Sequence, residues 1–179
     1  MTMSVDEAIR ERRSVRAYED RPVSENLIRQ IIEAATFAPS AKNGQQWRFT
    51  VLIGDSKKQF TDLYRQELDR LKFDLGSSYG SCNMMEKAPV VIIVWNTNER
   101  GWSTEVHSVA AAIQNLLLKA YSLGLGTCWI GDIFYTHNAI MDHFKKPWNL
   151  LAAITVGWPA VNPKMKPRLS VDEVTDFLD

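Results

Sequence analysis

One stretch of the sequence, residues 104–123, constrains the fold more than any other. It predicts a long helix that is apolar nearly all round its axis, with Val109, Ala110, Ala111, Ala112, Ile113, Leu116, Leu117 and Ala120. Such a helix must be buried over most of its surface. A chain of 179 residues is most simply one domain, 1–179. Burying this helix needs a large apolar surface for so small a chain, which hints that a second copy of the chain covers part of it.

The other periodic segments alternate irregularly between helices and strands. We expect helices to begin near Val5, behind a Ser4–Glu7 capping box, and near Ser24, Ser56, Thr136 and Ser170. Strands are predicted over residues 47–53, 89–95 and 151–156. Residues 74–87, rich in Gly and Ser, are predicted to be a mobile loop. The absence of a regular strand–helix–strand rhythm favours an α+β fold.

The charge balance excludes some classes of function. Lys+Arg and Asp+Glu both number 21, which argues against a general binder of nucleic acid. Two cysteines and three histidines show neither a disulfide framework nor metal-ligand spacing, so no metal is expected. No signal peptide and no apolar run of transmembrane length is visible. We therefore expect a cytoplasmic protein that binds no membrane.

Three polar segments stand out as candidate binding elements. The first is Arg12-Arg13-Ser14-Val15-Arg16, and the last is Lys166-Pro167-Arg168. Arginines beside a serine can hold a phosphate through several N–H and O–H donors, and a distant Lys-x-Arg pair could close on the same anion. Taken alone, each basic segment could also be a solvated surface. The middle segment, residues 38–47, offers Ser40, Asn43 and Gln45 to the edge of a planar heterocycle.

In order and spacing, these three segments resemble the nitroreductase family of FMN-dependent oxidoreductases over nearly the whole chain. The resemblance implies a mixed β-sheet flanked by helices in an intertwined homodimer. It also implies an FMN site in which Arg12, Ser14, Lys166 and Arg168 hold the phosphate, with Lys164 as an alternative to Lys166. Arg13 is assigned to the same cofactor site, although its neighbours could serve without it. Arg16 would approach the N1/C2 side of the flavin, where a cation stabilises the anionic reduced ring.

The middle segment would reach a flavin bound mainly by the other subunit. The resemblance implies that Pro39, Ser40, Asn43 and Gln45 make these contacts. The family's usual proline after the glutamine is Gln46 here, a departure that bears on the local backbone.

The stretch from Gly124 to Gly131 contains Gly-x-Gly, but it is no dinucleotide fingerprint. Trp129 stands where the third glycine would be, and the motif follows a predicted helix instead of a strand. In the family, the backbone N–H groups near Ile130 and Gly131 face flavin N5, an approach that glycine permits. Cys128 is expected to be a small buried apolar residue.

The resulting hypothesis is an NAD(P)H-dependent FMN oxidoreductase. The resemblance implies a ping-pong transfer of hydride through flavin N5 to small acceptors, nitroaromatics and quinones, with no side chain needed as a catalyst. Two alternatives remain open at this point. One is a reductive dehalogenase or flavin-cleaving relative of the same superfamily, and the other is a flavin-binding protein without turnover.

Overall fold

A computed structural model describes residues 3–71 and 76–178. The elements run in this order: α1 Val5–Glu11, α2 Glu25–Thr36, β1 Trp47–Ile53, α3 Gly54–Leu71, α4 Ser78–Lys87, β2 Val90–Asn96, α5 Ser103–Ser122, β3 Gly126–Ile130, α6 His137–Phe144, β4 Asn149–Gly157 and α7 Val171–Val174. Short 3₁₀ turns cover Ala41–Asn43 and Asp132–Thr136.

The four strands form one sheet in the order β1-β2-β4-β3, and every neighbouring pair is antiparallel. Trp47 of β1 faces Asn96, and Asn96 also pairs with Asn149 at the start of β4. The parallel component of the expected mixed sheet is a single bridge between Ser14 and Thr127. In consequence, β1 begins and β3 ends at the same end of the sheet, but on opposite edges.

Helices cover both faces of the sheet. Alternate residues of the central strand β2 face two separate cores, since successive side chains of a strand point to opposite faces. Ile92 packs with α2 and α5, whereas Ile93 packs with α3, α4 and α6, and both are fully buried. The chain is therefore a three-layer α+β structure, which confirms the expected fold class.

The predicted long helix is α5, and it lies between the sheet and α2. Its core-facing side includes Val109, Ile113 and Leu116, all with no exposed surface. Its other side is less covered within the chain: Val106 is 43% exposed and Leu118 is half-buried. The burial of α5 is thus incomplete in one chain, as its apolar circumference suggests.

Two predictions of local structure were wrong or incomplete. Residues 78–87 are helix α4 and not a loop, while residues 74–75 lie outside the described residues. The helix forms because Ser78, Ser81, Cys82 and Met85 are buried along one face at helical spacing, despite a poor helix-forming composition. Strand β3 was not predicted, because it is only five residues long and directly follows a glycine turn.

The predicted capping residues are confirmed for α1 and α7, whereas α3 begins earlier than predicted. Ser170 and Glu173 form the complete capping box before α7, and the Ser4 hydroxyl accepts from the Glu7 N–H. Helix α3 begins at Gly54, two residues before Ser56. Within the described residues, no helix is long and apolar enough to cross a membrane.

Candidate functional site

The segment from Arg12 to Arg16 lies directly beside β3. Ser14 bridges to Thr127, and the Val15 N–H donates to the Thr127 carbonyl at 2.9 Å. Gly126 permits this approach, since a Cβ there would lie 2.8 Å from Cβ of Val15. The backbone contact with β3 thus fixes the position of residues 12–16, called here the arginine segment, relative to this strand.

The side chain of Tyr18 also holds residues 12–16 in place. Its hydroxyl lies 2.8 Å from the Val15 carbonyl, to which it donates, and 2.7 Å from the Thr155 hydroxyl. Burial raises the pKa of Tyr18, so the phenol keeps its proton. The tyrosine therefore ties the arginine segment to β4 as well as to β3.

A groove of about 760 Å³, called here the arginine groove, brings the first and last basic segments together. Its walls include Arg10, Arg12, Lys166 and Arg168. Burial, followed by the charges of Arg13 and Arg168, lowers the pKa of Arg12. Among the described residues, none hydrogen-bonds to the Arg12 guanidinium, and Arg168 bonds only to backbone carbonyls beside it. The lining also includes Glu11, whose Oε2 lies 3.9 Å from Nη2 of Arg13. Four cationic side chains therefore share the groove with a single carboxylate residue.

Lys166 and Lys164 differ in their relation to this groove. Lys166 lines it, whereas Lys164 is exposed and is not part of its lining. The geometry favours Lys166 as the lysine that can act together with Arg12.

Arg13 has a different environment from its neighbours. Its side chain is 13% exposed, and Nη1 donates to the carbonyls of Arg10 at 2.5 Å and Arg12 at 2.8 Å. These carbonyls are at the end of α1, where backbone acceptors lack helical partners. The guanidinium of Arg13 thus caps α1 in this structure, so less of it is available to a ligand.

A second cavity of about 480 Å³, called here the β3 cavity, opens where β3 ends. Arg16, Ile130 and Gly131 line it, together with Ser81 and Met84 of α4. Arg16 is exposed, and its guanidinium donates to the Ser14 carbonyl at 3.2 Å. The four residue-to-residue steps from Arg12 to Arg16 span about 13 Å in an extended chain. The arginine groove and the β3 cavity therefore lie at the two ends of residues 12–16, a segment called here the strip.

The loop that precedes β1 carries the remaining predicted residues, Pro39, Ser40, Asn43 and Gln45. The Ser40 hydroxyl accepts from the Gln45 N–H at 3.1 Å. Asn43 and Gln45 have φ values of 51° and 49°, as does their neighbour Lys42 with 52°. Non-glycine residues in this region are strained, so the surroundings must hold the loop in place.

The structure does not bring this loop to the β3 cavity within one chain. The loop enters β1 at one edge of the sheet, and Ile130 leaves β3 at the other edge. Three strand spacings of 4.7–4.9 Å separate these edges, which amounts to about 14 Å. Where the family has proline, Gln46 is fully buried, and the described residues provide no partner for its side-chain amide.

Several residues around the β3 cavity were not predicted from the sequence. Asp132 follows Gly131 directly, and its Oδ2 accepts from the hydroxyls of Ser77 at 2.7 Å and Ser81 at 3.0 Å. The i, i+4 spacing of these serines was a helical signal hidden in a Gly/Ser-rich stretch. Cys128 is buried, as expected, and burial raises the pKa of its thiol. No cluster of metal-ligating side chains occurs within residues 3–71 and 76–178.

Comparison with known proteins shows the family to which the chain belongs. The family model described as "Nitroreductase family" matches residues 9–158. The chain belongs to the nitroreductase family. A relative from Methanothermobacter thermautotrophicus, named "Putative NADH dehydrogenase/NAD(P)H nitroreductase", is 35% identical over 178 residues, which are 96% of this chain and 86% of that protein. The resemblance drawn from the three polar segments is thereby confirmed.

Solved structures of nitroreductases have the same fold. A crystal structure of a Desulfovibrio desulfuricans protein in complex with FMN is 30% identical, with a TM-score of 0.83 over 100% of this chain and 99% of that one. The FMN- and NADPH-dependent nitroreductase NfnB from Sphigopyxis sp. strain HMH has a TM-score of 0.85 over 99% and 100%, at 22% identity. This second likeness concerns the fold alone.

Proposed function

We propose that this nitroreductase-family chain is an FMN-dependent oxidoreductase that takes electrons from NAD(P)H. The observation that carries the proposal is the strip from Arg12 to Arg16. It joins a groove in which cationic side chains outnumber carboxylates to a cavity lined by Ile130 and Gly131. A mononucleotide has the matching shape, with an anion at one end and a planar ring at the other.

The residues of the strip divide the binding of FMN among them. Arg12, Ser14, Lys166 and Arg168 would hold the phosphate, since the groove offers guanidinium and ammonium donors that lack carboxylate partners. Arg16 would lie near the N1/C2 edge of the ring, where its charge favours the reduced anionic form. When bound, FMN supplies the hydride-accepting atom N5, which the backbone of Ile130 and Gly131 would face.

The β3 cavity would receive the two substrates in turn. Nicotinamide and the electron acceptor would use the same space above the ring, which is a ping-pong arrangement. No side chain in this cavity is placed as an obligatory proton donor in the proposal, so solvent can protonate the product. We propose neutral nitroaromatics and quinones as test acceptors. A related protein from Comamonas testosteroni, 26% identical, is named "Chloronitrobenzene nitroreductase".

We infer further that the active unit is a homodimer of single-domain chains. The strained loop with Ser40 and Asn43 would contact the flavin of the partner subunit, because about 14 Å separates it from the β3 cavity of its own chain. The C-terminal segment also exposes large apolar side chains: Leu169 69%, Phe177 82% and Leu178 93%. A second copy would cover them, together with the open side of α5. The two free cysteines fit the reducing cytoplasm that we propose as its location.

Reconstitution tests this proposal. The purified protein is stripped of cofactor and titrated with FMN, FAD and riboflavin, and binding is followed by quenching of flavin fluorescence. We expect FMN to bind much more tightly than riboflavin, because the phosphate contacts are lost. Equal affinity for FMN and riboflavin would contradict the role of the arginine groove. Oxidation of NAD(P)H by the reconstituted protein then separates an enzyme from a flavin-storage protein.

A further inference from the structure

Asp132 places a carboxylate in the wall of the β3 cavity, immediately after Gly131. Its Oδ2 accepts from the hydroxyls of Ser77 and Ser81 at the start of α4. Its Oδ1 is buried, and the part of the chain that the structure describes provides no hydrogen-bond partner for it. No ion pair to Asp132 occurs among the described residues either. Two neutral hydroxyls therefore hold this carboxylate, and no cationic side chain of the described residues lies within ion-pair distance of it.

The same wall carries a positive charge at its other end. Lys87, the last residue of α4, also lines the β3 cavity. Ser81, which binds Asp132, precedes it by six residues, and this corresponds to about 9 Å along a helix. Arg16 is the third charged residue of the lining and is assigned above to the flavin. The part of the β3 cavity left for a substrate therefore has a negative charge next to Gly131 and a positive charge near Lys87.

We propose that Asp132 is a specificity-determining residue that disfavours anionic ligands close to Gly131. The inference rests on the proposed function, because that function makes the β3 cavity the substrate space. A carboxylate on an aromatic ligand would meet the charge of Asp132 at short range in a half-buried site, where water screens it weakly. Two unit charges about 6–10 Å apart at an effective dielectric constant of about 20 change a binding constant by at least about tenfold.

The same charge favours the nicotinamide step. In the proposed reaction the hydride, with the electron pair of the C4–H bond, would pass from the dihydropyridine ring to N5 of bound FMN and form an N–H bond there, which leaves the ring as a pyridinium cation. A fixed carboxylate near that ring stabilises the positive charge as it develops. Asp132 thus helps a donor that turns cationic and hinders an acceptor that is already anionic.

The variant Asp132→Asn isolates charge from structure. An amide oxygen can still accept from the two serine hydroxyls, so the attachment of α4 is retained. Asp142→Asn removes the same charge from an exposed position on α6 and serves as the matched control. Lys87→Met removes the opposite charge from the same cavity, and the inference then requires a shift of the opposite sign.

The test uses 4-nitrobenzoate and 4-nitrobenzamide, which share their shape and differ in charge. Their dissociation constants are measured by calorimetry on the purified protein without an electron donor, and the melting temperature of each variant confirms folding. We expect Asp132→Asn to bind 4-nitrobenzoate about tenfold more tightly and 4-nitrobenzamide unchanged. Lys87→Met should weaken 4-nitrobenzoate, and Asp142→Asn should alter neither ligand.

Three results would overturn the inference: an unchanged affinity of Asp132→Asn for 4-nitrobenzoate, equal shifts for both ligands, or no binding of either ligand to any variant. The proposed function is tested separately by the flavin spectrum of the wild-type protein. Absence of flavin binding refutes that function, while the calorimetric comparison still reports on the charge preference of the cavity.

Discussion

Replacing Gly126 with alanine should disturb the FMN site from a position that lines neither the arginine groove nor the β3 cavity. The added Cβ would lie 2.8 Å from Cβ, Cγ1 and Cγ2 of Val15, while ordinary van der Waals contact begins at 3.4 Å. The arginine segment must therefore retreat from β3 by about 0.6 Å or more. Val15 is only 6% exposed and its N–H bonds to Thr127, so this retreat strains a packed region. Such overpacking costs about 1–3 kcal/mol.

We expect Gly126→Ala to lower the free energy of unfolding by about 1–3 kcal/mol. The affinity for FMN should fall at least about tenfold, because Arg12, Ser14 and Arg16 move with Val15. Urea denaturation of the stripped protein gives the first quantity, and fluorescence titration gives the second.

Gly80→Ala is the control for the stability measurement only, because Gly80 itself lines the β3 cavity. No heavy atom lies within 4 Å of a Cβ at Gly80, which is inside α4, so alanine should be neutral or stabilising there. If Gly126→Ala keeps both wild-type stability and wild-type FMN affinity, β3 does not set the position of the arginine segment.

Further predictions concern the groove, the oligomer and the response to pH. Arg168→Ala should weaken FMN binding by about 1.5–3 kcal/mol. Arg13→Ala should destabilise α1 and should reduce the affinity for FMN less than Arg12→Ala does. If FMN titrations show a larger loss of affinity for Arg13→Ala than for Arg12→Ala, the assignment of these two arginines is wrong. The unfolding midpoint should rise with protein concentration if the folded unit is a dimer, and a constant midpoint over a wide concentration range would contradict it. Burial raises the pKa of Cys82 to about 12, so the folded state holds this proton more tightly than the unfolded chain does. Stability should therefore fall as the pH rises above about 9, and less steeply in Cys82→Ala.

The sequence predicted the elements that carry a long apolar run or a strong periodicity. Helix α5 was recognised because its apolar residues recur over five turns, and β1 because apolar and polar residues alternate from Trp47 to Ile53. The phosphate-binding hypothesis depended on residue types in a fixed order, which survives any error in secondary structure. The groove shared by Arg12 and Arg168 then brought together residues that are distant along the chain.

Contacts that depend on tertiary structure could not be predicted in this way. Helix α4 was missed because Gly80 and the serines mask its buried face, and its partner Asp132 lies far away in the sequence. The capping role of Arg13 depends on where α1 ends, and a motif does not specify that. Gly126 resembled part of a nucleotide fingerprint, yet the structure shows that its missing side chain makes room for Val15.

Anaerobic titration of the FMN-loaded protein with NADH or NADPH tests the central claim most directly. The absorption band of the oxidised flavin is recorded during the titration, and a quinone is then added without oxygen. The account predicts that about one equivalent of NAD(P)H per FMN bleaches the band, as a two-electron transfer requires, and that the quinone restores it. A protein that binds no FMN, or bound FMN that neither nicotinamide reduces, would contradict the account.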